Sequence, residues 1–345
     1  VPPFFIRKII PTEEVVEMKK VLGLVLVMMV LVVLVSGAKI GITAIVEHPA
    51  LDAVRDGILD RLAELGYVQG ENLDVMVQTA QGNMTNAVSI ASHFVSEKPD
   101  VVVGISTPSA QALANATDKI PVVFSAVTDP VAAGLVPQMG LNAGNVVGIS
   151  DMTPVKTQLK LILYLLPNVK KIGILTNPGE TNSTVLTQHA KVACEELGLE
   201  LVEIVGTTTA EMIASMSALA PSVDAVYAGT DNTAASCMSS LQQIALKNGI
   251  AIMAGDISMA RSGGLIGFGF DYYRMGLETG NMVAQLLEGK KPEELESRMV
   301  KADSLQLYLD LDIAAQLGIE VPEALLEQAD FIVENGEESG GEKAE

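Results

Sequence analysis

Two turns in the first half of the chain carry hydroxyl groups where chemistry could use them. Ser106-Thr107-Pro108-Ser109 follows the apolar run 101–105, and Thr128-Asp129-Pro130 follows the run 122–124. A hydroxyl cluster that opens a helix supplies an N-cap and leaves backbone N–H donors free. Those donors and the helix dipole together favour an anion such as a carboxylate. The second half offers acids in the same kind of position: Asp231 and Asn232 within Thr230-Asp231-Asn232-Thr233, and Asp256 after Gly255. A carboxylate facing a cleft suits an ammonium group. Asp256 is the stronger candidate, because Asp231 is equally well explained as a helix cap. Hydroxyls on one wall and an acid on the other would hold a zwitterion. Asn182 and Ser183, in the turn after residues 171–175, and His48, in the equivalent Glu47-His48-Pro49 turn, could face the same cleft. Asp271 and Tyr272, in Gly267-Phe268-Gly269-Phe270-Asp271-Tyr272-Tyr273, could wall a pocket or pack in the core.

Other chemistry finds no support. His48, His93 and His189 are scattered, without metal-ligand spacing. Gly104-Ile105-Ser106-Thr107-Pro108 fails the G-x-S-x-G nucleophile elbow at its last position. Gly267-Phe268-Gly269 lacks the third glycine of a dinucleotide loop. Nothing pairs a nucleophile with a base, so neither enzymatic activity nor a cofactor is expected. A formal net charge of -20 repels phosphate backbones, and the absence of tryptophan with only 4% aromatic residues gives bases no stacking platform. Nucleic-acid binding is not expected.

The turns need elements to hold them. Short apolar runs at 39–46, 73–79, 101–104 and 122–125 alternate with helical periodicity at 51–65, 87–95 and 109–116. The rhythm returns with strands at 171–175, 201–205, 225–227 and 251–253 and helices at 183–197, 210–219 and 233–247. Such alternation predicts α/β architecture with parallel sheets covered on both faces. The halves are also copies of one plan. Lys39-Ile40-Gly41-Ile42 and Glu64-Leu65-Gly66 return 132 positions later as Lys171-Ile172-Gly173-Ile174 and Glu196-Leu197-Gly198. Residues 100–110 parallel 224–234, and 120–135 parallel 250–265. Duplication predicts two Rossmann-like lobes with a cleft beyond the carboxyl ends of their strands.

The ends read differently. Met18-Lys19-Lys20, an apolar run over 21–35 and Ser36-Gly37-Ala38 have the form of an export signal cut before Ala38. The run is about 15 residues, short of the ~20 needed to cross a bilayer; a retained membrane anchor is the alternative. No cysteine follows it, so lipid attachment there is not expected, and the protein is expected in a periplasm-like space. Residues 1–17 read as an upstream extension. Residues 334–345, rich in Glu, Gly and Ser, read as a disordered acidic tail. Cys194 and Cys237 fall in apolar runs and read as buried free thiols, with a disulfide as the alternative.

At these turns the sequence resembles the ABC transporter substrate-binding family whose members include tryptophan and tyrosine binders. The matching pieces are Val46-Glu47-His48-Pro49-Ala50-Leu51-Asp52, Ser106-Thr107-Pro108-Ser109-Ala110-Gln111-Ala112-Leu113, Thr128-Asp129-Pro130-Val131, Thr230-Asp231-Asn232-Thr233 and Gly269-Phe270-Asp271-Tyr272-Tyr273. The resemblance runs from about residue 39 to about residue 318. It implies a type I periplasmic-binding fold with a hinge of three crossings and a central cleft, divided into an N-terminal lobe of residues 38–151 and 258–300 and a C-terminal lobe of residues 152–257 and 301–333. By position it assigns an α-carboxylate to Ser106, Thr107 and Thr128, and an α-amine to Asp256. The implied function is a monomeric solute-binding protein that passes an aromatic or branched-chain amino acid to ABC permease subunits. A ligand sensor docking on a membrane receptor, and a binder of a nucleoside or amine, remain alternatives.

Overall fold

A computed structural model of the chain describes residues 37–300 and 304–340, and in it the alternation becomes two sheets. The export segment expected over residues 18–38 lies, apart from its last two residues, outside the described residues, as do residues 341–345 of the expected tail. The first lobe runs β1 (Ala38–Ala44), α1 (Pro49–Glu64), β2 (Leu73–Thr79), α2 (Met84–Ser96), β3 (Val101–Ile105), α3 (Thr107–Ala116), β4 (Val122–Val127), β5 (Gly140–Leu141) and β6 (Val146–Ser150). The second continues with α4 (Val155–Leu165), β7 (Lys171–Thr176), α5 (Thr181–Leu197), β8 (Glu200–Val205), α6 (Thr209–Leu219) and β9 (Ala225–Ala228). It goes on through α7 (Asn232–Ser236), α8 (Met238–Lys247), β10 (Ala251–Ala254), α9 (Ile257–Arg261) and β11 (Ile266–Phe270). The chain then returns to the first lobe with α10 (Tyr272–Leu287) and β12 (Glu296–Met299). It ends in the second with β13 (Leu305–Asp310), α11 (Leu311–Leu317), α12 (Glu323–Leu326), β14 (Phe331–Glu334) and β15 (Glu337–Gly340).

The first sheet has the order β2-β1-β3-β4-β6-β12-β5 and the second β15-β14-β13-β11-β10-β9-β7-β8. The central pairings β1–β3, β3–β4, β7–β9 and β9–β10 are parallel. Strands β3, β4, β9 and β10 are buried along their whole length, as sheets covered on both faces require. The duplication has a structural signature. The Asp100 carboxylate accepts the backbone N–H of Lys39 at 2.7 Å, and that of Asp224 accepts the N–H of Lys171 at 2.8 Å. Each lobe thus ties the start of its first strand to the turn before its third by the same bond.

The chain crosses between lobes from β6 to α4, from β11 to α10 and from β12 to β13, each time between a strand of one sheet and the next element of the other. This corrects the expected boundary at 257/258. Strand β11 pairs with β10 and β13, so residues 258–270 belong to the second sheet and the crossing falls just before Tyr272. Two further differences have local causes. The helix expected over 233–247 breaks at Cys237, whose φ of -129° is not helical. Of the tail expected to be disordered from residue 334, the described residues 334–340 instead complete the β14–β15 hairpin, closed by an Asn335-Gly336 turn whose two N–H groups donate to Asp312. Cys194 and Cys237 are both buried free thiols.

Packing between α1 and α10 holds the first lobe against the second crossing. A Cβ on Gly57 would stand 2.3 Å from the Tyr273 carbonyl oxygen, and one on Gly276 2.3 Å from that of Val54. Only glycine lets these helices approach so closely, and α10 begins at Tyr272.

Candidate functional site

The carboxyl ends of the two sheets face each other, and between them lies a narrow cavity of about 20 Å³. His48, Ser106, Thr107 and Thr128 enter it from the first lobe, and Asn182, Asp231, Asn232 and Asp256 from the second. Asp151 and Tyr272 join them from the crossings. The lobes also touch directly: Thr128 Oγ1 lies 3.4 Å from Thr230 Oγ1, and Gln111 Nε2 donates to Thr181 Oγ1 at 3.3 Å.

On the first-lobe wall the backbone is under strain. Ser106 takes φ 78° and ψ 157°, a region that costs a non-glycine residue about 1–3 kcal/mol. Its N–H donates to the Ser125 carbonyl at 2.9 Å, which pins the turn. Ala126, with φ 53°, sits where the β4–β6 register shifts, and it too lines the cavity. Ser106 Oγ and Thr107 Oγ1 are buried and have no hydrogen-bond partner. Buried polar atoms are rarely left so. These two stand at the opening of α3, where donors and dipole favour an anion.

Near the crossings the cavity is acidic. Tyr272 donates its hydroxyl to Asp151 Oδ2 at 2.7 Å, while Asp151 Oδ1, also buried, has no partner. Asp256 Oδ1 accepts the Met259 N–H at 2.9 Å. Burial, with a further push from the Asp151 charge, raises the Asp256 carboxyl to about 6. Burial raises Asp151 as well, against the Tyr272 hydrogen bond that lowers it. Two buried acids side by side with one free oxygen are suited to a cationic group that neutralises both.

The far end of the second-lobe wall is built from carboxamides around one acid. The Glu180 carboxylate accepts from the Nδ2 groups of Asn177 (3.3 Å), Asn182 (3.2 Å) and Asn232 (2.5 Å). Burial, then the neighbouring Asp231 charge, pushes Glu180 up to about 7. Asp231 itself caps α7 through the Ala234 N–H and accepts the Asn177 N–H, both at 2.8 Å. His48 hydrogen-bonds Asn232 across the cleft, and burial lowers its imidazole to about 4.

Nine of the thirteen residues singled out from the sequence therefore line one cavity, and Ser106, Thr128 and Asp256 share it. Four do not. Ser109 is buried behind the α3 turn, and Asp129 closes its own turn by accepting the Val131 and Ala132 N–H groups. Ser183 Oγ accepts the Asn177 N–H, and Asp271 caps α10 through the Tyr273 and Arg274 N–H groups. Sequence reasoning missed Asp151 and Glu180. Asp151 meets its partner 121 positions away, which no local pattern announces. Glu180 left a signal in the run Asn177-Pro178-Gly179-Glu180-Thr181-Asn182, a lone acid between carboxamides.

The family described as "ABC transporter substrate binding protein" matches residues 39–333. A tyrosine-binding protein of Clostridioides difficile is 37% identical over 281 residues, covering 81% of both chains. A Streptococcus pneumoniae ABC domain solved in complex with L-Trp is 34% identical, with a TM-score of 0.83 over 86% of this chain and all of that one. The ligand-free, open structure of a Clostridium difficile substrate-binding protein with adhesive properties is 38% identical, yet its TM-score is 0.64 over 86% of this chain and 99% of that one. The overall structure is thus more similar to the ligand-bound relative than to the open one, although the open one is nearer in sequence. The fold is the type I periplasmic-binding fold of these neighbours.

Proposed function

The chain belongs to the ABC transporter substrate-binding protein family, and from that premise we propose that it takes an aromatic or branched-chain α-amino acid between its lobes and hands it to the permease of an ABC importer. The carrying observation is the pair of unpartnered buried hydroxyls at Ser106 and Thr107 in the same cavity as the unpartnered oxygen of Asp151 and the Asp256 carboxylate. The α-carboxylate accepts from those hydroxyls, with Thr128 beside them and the N-terminus of α3 behind. The α-ammonium lies between Asp151 and Asp256 and completes their hydrogen bonding. Binding uses groups from both lobes, so the guest is held fully only when the lobes are closed, the state the permease would recognise. No bond is made or broken.

The test is calorimetric titration of an amino-acid panel into the wild-type protein and Asp256→Ala, after mass spectrometry of any ligand carried through purification. Loss of one partner of a buried charge pair should weaken binding at least ~100-fold, with the circular dichroism spectrum unchanged. Unaltered affinity would remove Asp256 from the site.

A further inference from the structure

One buried oxygen in the cavity remains without a role after the zwitterion is placed. Asn182 is 3% exposed, its Oδ1 has no hydrogen-bond partner, and it lines the cavity. The orientation of its carboxamide is fixed. Nδ2 donates to Glu180 Oε2 at 3.2 Å and to the Thr230 carbonyl at 3.0 Å. Both neighbours only accept when Glu180 is ionised, so turning the amide over would set oxygen against oxygen. The same carboxylate holds Nδ2 of Asn232, whose carboxamide meets His48 across the cleft. Glu180 does not itself line the cavity; it stands behind the two asparagines and gathers their amino groups.

The sheet order separates Asn182 from the acids. Asp256 follows β10 and Asn182 follows β7, with β9 between them. Two strand spacings are about 10 Å, roughly the span of an aromatic amino acid from its ammonium to a donor at the far edge of its ring. A guest that puts its ammonium at Asp151 and Asp256 brings its side-chain tip toward Asn182.

We propose that Asn182 Oδ1 selects amino acids whose side chain ends in a hydrogen-bond donor, a phenol O–H or an indole N–H, and that Glu180 is the positioning residue that turns this oxygen toward the guest. The inference rests on the amino-acid reading above and narrows it. A guest with an apolar tip leaves a buried acceptor unpaired, and sites built to hydrogen-bond such a group reject analogues lacking it by up to ~10⁴-fold.

Isothermal titration of L-tyrosine, L-tryptophan and L-phenylalanine into the wild-type protein tests the selection without any substitution. L-Tyrosine or L-tryptophan should bind at least ~100-fold more tightly than L-phenylalanine. In Asn182→Leu the ratio should fall to within about threefold, through weaker tyrosine or tryptophan binding and stronger phenylalanine binding. Glu180→Gln should lower the ratio while phenylalanine affinity stays within about twofold, because a rotated carboxamide harms only the guest that needs its oxygen. Equal wild-type binding of all three would overturn the selection and leave the amino-acid reading standing. A ratio unchanged in Asn182→Leu would remove this residue from it. Failure of every α-amino acid to bind would overturn both readings together.

Discussion

Asp256 caps a short helix and, in the proposed reading, also meets a cation, and its protonation is where the two demands separate. The cap needs one oxygen, which accepts the Met259 N–H. The ammonium needs negative charge, yet burial holds the carboxyl near 6, with Asp151 and the Tyr272 hydroxyl as its ionisable neighbours in the cavity. Affinity for an α-amino acid should therefore strengthen as pH rises from 5 to 7, by at most about tenfold per unit, and level off above that. Titrations in buffers of differing ionisation enthalpy would read the released proton; flat affinity over this range would contradict the assignment. Ligand-free stability responds in the opposite sense. The folded carboxyl lies above its ordinary 3.8, so its contribution is fully present below that value and is lost as pH rises through about 6. Glu180 acts in the same direction, from 4.5 up through about 7. His48 opposes them: its contribution is present above 6.5 and is lost as pH falls through about 4. At this scale the sequence told which residue types gather but not which atoms stay free. Ser109 and Asp129 look in sequence like their cavity-lining neighbours Ser106 and Thr128. Only the turn geometry, with Ser106 in a strained conformation, decides which side chains reach the cavity.

The elements were more legible than the boundaries between lobes. Strands β1 to β4 and β7 to β10 lie where the apolar runs place them, most clearly where parallel strands buried on both faces write unbroken apolar runs, while β5, β6 and α4 were not among the expected elements. The crossing before Tyr272 was misplaced because β11 continues the strand–helix rhythm of the second half and only α10 returns to the first lobe. What brings α10 back is legible in hindsight: Gly276 and Gly280 lie four apart on one face. A Cβ on Gly280 would stand 3.0 Å from the Ile58 carbonyl oxygen, repeating the close approach at Gly276. Gly276→Ala should force α1 and α10 apart and destabilise the protein by about 1–3 kcal/mol, as read from urea denaturation. The same displacement would move Tyr272 from Asp151, so the tyrosine-induced rise in melting temperature should also shrink. A stability within about 0.5 kcal/mol of wild type would show that the helices are not held by this contact.

For the molecule as a whole, the two lobes are copies whose strand ends face one another, and in the proposed reading the guest's charges are shared out between them. The first lobe offers neutral donors at the opening of α3; the second offers acid, completed by Asp151 at a crossing. Neither wall alone would satisfy a zwitterion, so the proposed reading puts ligand binding and lobe closure in one equilibrium. The duplication was visible in the sequence through its 132-residue offset, and the shared Asp100 and Asp224 bonds show what the copies conserve physically. The contents of the cavity were less visible, since they depend on pairs such as His48 with Asn232 that meet only when the lobes face. A crystal structure grown with L-tyrosine tests the central claim most directly. The carboxylate should lie within hydrogen-bond distance of Ser106 and Thr107, and the ammonium within reach of Asp151 and Asp256. A ligand bound elsewhere on the molecule, or held in this cavity with its charged ends reversed, would contradict the account.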